Sequence, residues 1–143
     1  MPFSACLRIS ILYNIFIVMN ISSAALQEIA DFFEVLAVPT RLGILLAIGE
    51  REVCVCHLEA VLKLRQAAIS QHLQVFKKNG WVISRRQGRF VYYKLSNPSV
   101  LPLIYEGARM KGVSQEQIEY FFTAPIEGCS CSLCNPNSNK PFC

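Results

Sequence analysis

The chain has 143 residues and a formal net charge of +4, enough for one packed domain with tails and too short for two comfortable ones. The charge is unevenly spread: Lys63, Arg65, Lys77, Lys78, Arg85, Arg86, Arg89 and Lys94 fall between Ala60 and Tyr105 without an Asp or Glu among them. A solvated face usually mixes signs, so a stretch purged of acid favours a polyanionic partner, nucleic acid above all. No nucleophile–base pair, phosphate loop or His-rich metal motif points to an enzyme.

Residues 1–22 form an apolar extension whose one charge is Arg8, with an apolar run from Ile9 to Ile21 and small residues from Ser22 to Ala25. It is signal-like, but Ser10, Asn14 and Asn20 interrupt it and it is too short for a spanning helix. Export would part the chain from chromosomal DNA. The expected native start is therefore Met19, which places Cys6 outside the native protein, and a cytoplasmic protein with no membrane partner is expected. The alternative is an exported or membrane-anchored thiol protein.

Residues 23–123 should form the folded domain. Leu26, Ile29, Ala30, Phe33, Leu36 and Ala37 recur at helical spacing, with Phe32 and Val35 on a second stripe, so the first helix is read as part of a dimer interface. Pro39 suits the first turn of a second helix carrying Leu42, Ile44, Leu45, Leu46 and Ile48, in which Gly43 costs about 1 kcal/mol against alanine. A third helix is predicted from near Cys54 to about Leu62, with Val55, Leu58, Val61 and Leu62 facing the core. Lys63-Leu64-Arg65 is then a turn, and a fourth helix runs from Gln66 to about Asn79, with Ile69, Leu73 and Phe76 inward and Gly80 closing it. Two helices joined by three residues form a helix-turn-helix pattern. Trp81–Gln87 and Phe90–Leu95 read as a β-hairpin turning at Gly88, its tip made basic by Arg85, Arg86 and Arg89 and able to lie along a phosphate backbone as a wing. A fifth helix follows Asn97-Pro98 up to about Lys111. Ser114 and Gln117 have capping-box spacing for a short sixth helix carrying Ile118, Phe121 and Phe122. Residues 124–143 lack any period and read as a flexible cysteine-rich tail.

The seven cysteines are Cys6, Cys54, Cys56, Cys129, Cys131, Cys134 and Cys143. They cluster as C-x-C pairs rather than as a framework, which favours metal ligation or redox sensing over structural disulfides. Cys54 also fits a small core residue, since Leu58, Val61 and Leu62 share its helical face.

From about Ala30 to Leu95 the chain resembles the ArsR-type metalloregulators, small winged-helix repressors. Pro39-Thr40-Arg41-Leu42 resembles the signature before the family's second helix, Glu52–Leu58 (EVCVCHL) its arsenic-sensing motif ELCVCDL, and Gln66–Leu73 with Gly80-Trp81-Val82 its reading helix. Arg86, Gly88 and Arg89 with Val91-Tyr92-Tyr93 resemble its wing. The resemblance implies a mainly α fold with a small β-hairpin, dimerising through the first and fifth helices and binding an inverted-repeat operator in double-stranded DNA. There are departures. Val38 and Arg65 replace the capping Asp and Ser of the second and reading helices, which weakens those helix starts. His57 replaces the motif's Asp, and Glu59 stands where some arsenic sensors carry a third cysteine. The fifth helix has no histidine, so the interfacial zinc site of other members is not expected.

The inducer implied is trivalent arsenic or antimony, with cadmium, lead or zinc as alternatives suited to soft thiolates and a thiol redox switch as another. Its ligands are expected to be Cys54 and Cys56 with one of the tail's Cys129, Cys131 and Cys134, or those three tail cysteines alone. On a regular helix, thiols at i and i+2 point about 200° apart, so gripping one ion calls for an unwound first turn. His57 assists ligation or is solvated. Gln66, Ala68, Ser70 and Gln71 are candidates for base edges, while His72, Lys77, Lys78, Arg86 and Arg89 are candidates for phosphate.

Overall fold

In a computed structural model of the protein, residues 23–123 are described. Expectations about residues 1–22 and 124–143, including Cys6, Cys129, Cys131, Cys134 and Cys143, lie outside them. The chain divides into two compact units, residues 1–38 and residues 39–143.

The described part of the first unit is helix α1, Ser23–Leu36, closed by the Ala37 N–H donating to the Phe33 carbonyl at 3.0 Å. Leu26, Ile29 and Phe33 stay about half exposed on it, and Phe32 and Phe33 meet edge to face. An apolar stripe left in water costs free energy unless something covers it.

The second unit opens with α2, Pro39–Ile48, whose proline occupies the first helical position as the sequence predicts. Ile44, Leu45, Ala47 and Ile48 are buried. Gly43 has a packing reason: a Cβ there would come within 3.0 Å of Leu62 Cδ2, so the bare backbone lets the third helix approach. Strand β1, Val53–Cys54, leads into α3, Val55–Leu62. Lys63 caps α3 in the left-handed region at φ 55, its N–H donating to the Glu59 carbonyl, and the chain turns through Arg65 into α4, Gln66–Lys78. Ile69, Leu73 and Phe76 of α4 are buried, as their i, i+4, i+7 spacing predicts.

The end of α4 is a Schellman closure. Gly80, at φ +72, donates to the Lys77 carbonyl and Trp81 to the Phe76 carbonyl at 2.8 Å, while the Phe76 and Trp81 rings stack at 6.1 Å. This is the pairing of last-turn carbonyls and of a hydrophobic contact that such a cap supplies. The chain then enters β2, Val82–Gln87, and returns as β3, Phe90–Leu95. Gln87 and Phe90 form the last antiparallel pair, leaving a two-residue turn with Gly88 first at φ +60, a conformation that favours glycine.

The hairpin is part of a three-stranded sheet in the order β1-β3-β2. Strand β1 was not expected: Val53 pairs with Tyr93 and Cys54 with Tyr92. The predicted third helix therefore starts at Val55, and on it His57 and Leu58 are buried while Val55, Val61 and Leu62 are partly exposed. Helix α5, Val100–Met110, is followed by α6, Gln115–Thr123. The capping box before α6 forms as the spacing predicts, with the Gln117 N–H donating to Ser114 Oγ at 3.3 Å and the Ser114 N–H to Gln117 Oε1 at 2.9 Å. Tyr92, Phe76, Ile44, Leu45, Ile48, Leu58, Ile69 and Leu73 are the bulkiest fully buried side chains. Each such residue contributes about 1.5–3 kcal/mol of apolar burial, and together they fix the helix-turn-helix against the wing.

Candidate thiol pocket and nucleic-acid interface

Glu52 to His57 is where strand becomes helix, and the change of geometry decides where each side chain goes. Cys54 has extended backbone, φ −88 and ψ 165, and stands at the N-cap of α3, where its Sγ accepts the His57 N–H at 3.4 Å. Sulfur thus takes the place that a Ser, Thr or Asp oxygen usually fills, satisfying one of the first-turn donors. The expected picture of two thiols on one regular helix is corrected: Cys54 lies outside the helix and Cys56 is its second residue. Nothing has to unwind for Cys54 to be extended.

Cys54 is a thiol with 1% exposure, clustered with Tyr92, and Cys56 and Phe90 pack against that pair. Cys56 is one half of a disulfide. Cys54, Val55, Cys56, Glu59, Gln66, Arg89, Phe90 and Val91 line a pocket of about 290 Å³. The pocket thus touches the first residue of α4 and the turn of the wing as well as both cysteines. With Cys56 reduced, a soft cation there would find two thiol sulfurs. Among the described residues no group of three or more His, Cys, Asp or Glu side chains is placed to hold a metal ion, so the donors present fit part of a three-sulfur site.

His57 faces the other way, and the expectation that it is solvated is overturned. It is 3% exposed, and its Nε2 lies 3.3 Å from Arg51 Nη2. Burial, with the Arg51 charge, pushes its pKa down to about 4, so the ring is neutral at pH 7 and accepts from the guanidinium. The same Nη2 donates to the Phe122 carbonyl at 3.0 Å. Arg51 therefore ties the start of α3 to the end of α6. It also lines a larger cleft of about 490 Å³ with Leu46, Leu101, Tyr105, Ile118 and Glu119 among its walls, but that cleft holds no cysteine.

The DNA candidates divide by exposure. Gln66, Gln71, Lys77, Lys78, Arg86 and Arg89 are exposed, while Ala68, Ser70 and His72 are intermediate. All but the two wing arginines lie on α4, whose start has no side-chain cap from Arg65, as the missing serine predicts. Arg86 Nε donates to the Gly88 carbonyl at 3.0 Å, and Arg89 lies over the Phe90 ring at 5.7 Å. Arg85 differs from its neighbours: it is bonded to Glu52 through Nε and Nη2, at 2.5 to 3.0 Å. The tip therefore presents Arg86 and Arg89, with Arg85 engaged at the surface by Glu52. Sequence reasoning had no signal for that pair, which spans 33 residues.

A helix-turn-helix with an antiparallel wing defines a winged-helix DNA-binding protein. Residues 38–84 match the model described as bacterial regulatory protein, arsR family. The chain is 40% identical over 91 residues to a transcriptional repressor SmtB homolog from Synechocystis, covering 64% of this chain and 67% of that protein. It is 45% identical over 67 residues to the arsenical resistance operon repressor of Escherichia coli, covering 46% of this chain and 57% of that one. Among solved structures, the AntR antimony-specific transcriptional repressor aligns with a TM-score of 0.58 and 30% identity, over 65% of this chain and 85% of that one. The chain belongs to the ArsR family and is a DNA-binding transcriptional regulator rather than an enzyme. No helix among the described residues is long and apolar enough to cross a membrane.

Proposed function

We propose that the protein is a metal-responsive repressor that binds an inverted-repeat operator as a homodimer in the cytoplasm and is released when trivalent arsenic or antimony binds its cysteine thiolates. The observation that carries this reading is the pocket in which Cys54 and Cys56 share walls with Gln66 and Arg89. An ion held there displaces the start of the reading helix and the wing together, so what binds the distorted form lowers DNA affinity, with coupling on the order of 1–3 kcal/mol. Two sulfurs leave a three-coordinate metalloid one donor short, and Cys129, Cys131 and Cys134 are the proposed source of the third. The likeness to an arsenical resistance repressor and to an antimony-specific one supports a metalloid inducer, and cadmium, lead or zinc are the alternatives that soft thiolates also suit.

In the reading helix, Gln66, Ala68, Ser70 and Gln71 meet base edges, and His72, Lys77, Lys78, Arg86 and Arg89 meet phosphate. The dimer forms through α1 and α5. Half-exposed Leu26, Ile29 and Phe33 on the first, and exposed Leu103 and Met110 on the second, support that assignment.

A second reading rests on the disulfide at Cys56: a redox switch, in which an oxidant takes the two electrons and two protons that thiols release on pairing. One titration separates the two. Operator release is followed with arsenite, antimonite, cadmium, lead, zinc and peroxide, for the reduced wild type, the Cys54→Ser/Cys56→Ser variant and a truncation after Pro125. Release by arsenite or antimonite at the lowest concentration, lost in the double variant and weakened by truncation, is the expected result. Release by peroxide alone would establish the redox switch instead.

A further inference from the structure

The sheet register places Cys54, Tyr92 and Arg85 in one row. Cys54 pairs with Tyr92 across β1 and β3, and Arg85 pairs with Tyr92 across β2 and β3. Directly paired residues share a face of the sheet, and here they touch in sequence. Cys54 is buried with Tyr92, and the Arg85 guanidinium lies over the Tyr92 ring, 4.9 Å from its centroid. Arg85 then bonds both oxygens of Glu52, two residues before Cys54 and so on the same side of the extended chain. Four side chains thereby close a circuit from the thiol through the wing and back to the thiol's own strand. The Glu52 carboxyl is held below its usual pKa mainly by this hydrogen bonding, so the pair is ionised at neutral pH. The Glu52–Arg85 ion pair joins the residue before β1 to the wing.

We propose that Glu52 and Arg85 are positioning residues: their bidentate pair is the clasp that holds the wing in its DNA-binding orientation and through which occupation of the Cys54 pocket reaches the wing. This rests on the thiol-pocket reading given above. Strand β1 has two residues, so a Cys54 pulled toward an ion strips half of its pairing with β3. Glu52 moves with it, and Arg85 loses the acceptor that fixed β2. The clasped form binds DNA, and the open form binds the ion. Weakening the clasp by any route shifts the same equilibrium, lowering DNA affinity and raising thiol reactivity together.

The test uses the full-length reduced protein, its Glu52→Gln variant, which keeps the shape and removes the charge, and Arg85→Lys, which keeps the charge and loses the fork. Operator affinity is measured by anisotropy without any ion, and again against arsenite. The rate at which N-ethylmaleimide alkylates Cys54 is measured in a Cys56→Ser background. For E52Q the expected result is operator binding weakened about five-fold or more, the lower end of the usual coupling range. Arsenite binding tightens, the further release it causes shrinks, and Cys54 labels faster. Arg85→Lys falls between E52Q and wild type. A variant that merely damaged the fold would lose far-UV circular dichroism, which is expected to stay at the wild-type value in E52Q. Wild-type operator affinity and labelling rate in E52Q would overturn the clasp. So would tighter DNA binding with a steeper salt dependence, which would make Arg85 a phosphate contact withheld by Glu52. If arsenite fails to release wild type, the inducer reading fails; the clasp is still judged by operator affinity and Cys54 labelling.

Discussion

Cys56 and His57 are neighbours in the chain and belong to different worlds. Cys56 packs against Tyr92 and Cys54 in a pocket bounded by the reading helix and the wing. His57 is buried and neutral beside Arg51, which reaches on to the last helix. One side of this short segment carries the cysteines proposed to take the ion; the other carries a buried anchor. The difference teaches how one short segment can serve two ends: Cys54 Sγ accepts the His57 N–H, while the imidazole itself is held by Arg51.

The sharpest way to break that comparison is on the reactive side. Replacing both Cys54 and Cys56 by Ser should abolish arsenite-induced release, a loss of about 5- to 150-fold in the ratio of operator affinities without and with the ion. DNA binding in its absence should stay close to wild type, because a serine hydroxyl still caps α3. Full release by the double variant would remove the thiol pocket from the mechanism. Next in size is Gln71→Ala, expected to relax preference at one base pair by about 1–3 kcal/mol in competition against operator variants. Arg89→Ala should weaken specific and random DNA alike and reduce the salt slope by about 1; equal losses of base discrimination in both variants would contradict the division between reading helix and wing.

The anchoring side gives a smaller, pH-dependent effect. His57 titrates near 6.5 when unfolded and at about 4 when folded. Its pKa is depressed, so between those values the unfolded chain binds more protons and stability falls as pH falls. Its contribution is complete above pH 6.5 and declines towards pH 4, with a slope of at most about 1.4 kcal/mol per pH unit. His57→Gln, which still offers Arg51 an acceptor, should flatten that decline in urea melts at pH 4.5 to 7. An unchanged slope would mean that His57 does not stay neutral in the fold.

Much of this architecture was legible from periodicity and punctuation. The spacing of Ile69, Leu73 and Phe76, the glycines at 80 and 88 and the Ser114–Gln117 box all act within a few residues, and local chemistry is what a sequence displays. The misses share one cause. Strand β1 is two residues long and exists because Tyr92 and Tyr93 are there to pair with it. His57 looked solvated because nothing local announces that Arg51 would fold over its ring. Arg85 looked like one more charge on the basic tip until Glu52, distant in sequence, claimed it. Each depends on a contact across the fold that leaves no period behind. The two cysteines line one pocket, but their geometry turned on whether Cys54 ends a strand or begins a helix, a difference of one residue.

The closure at Gly80 carries a consequence for how the protein meets a duplex. Two hydrogen bonds and a ring stack join the last turn of α4 to the first residue of the wing, with no slack loop between them. The near end of the wing is therefore fixed to the helix, and any swing of the hairpin has Trp81 as its hinge point and the Arg85 end as its free end.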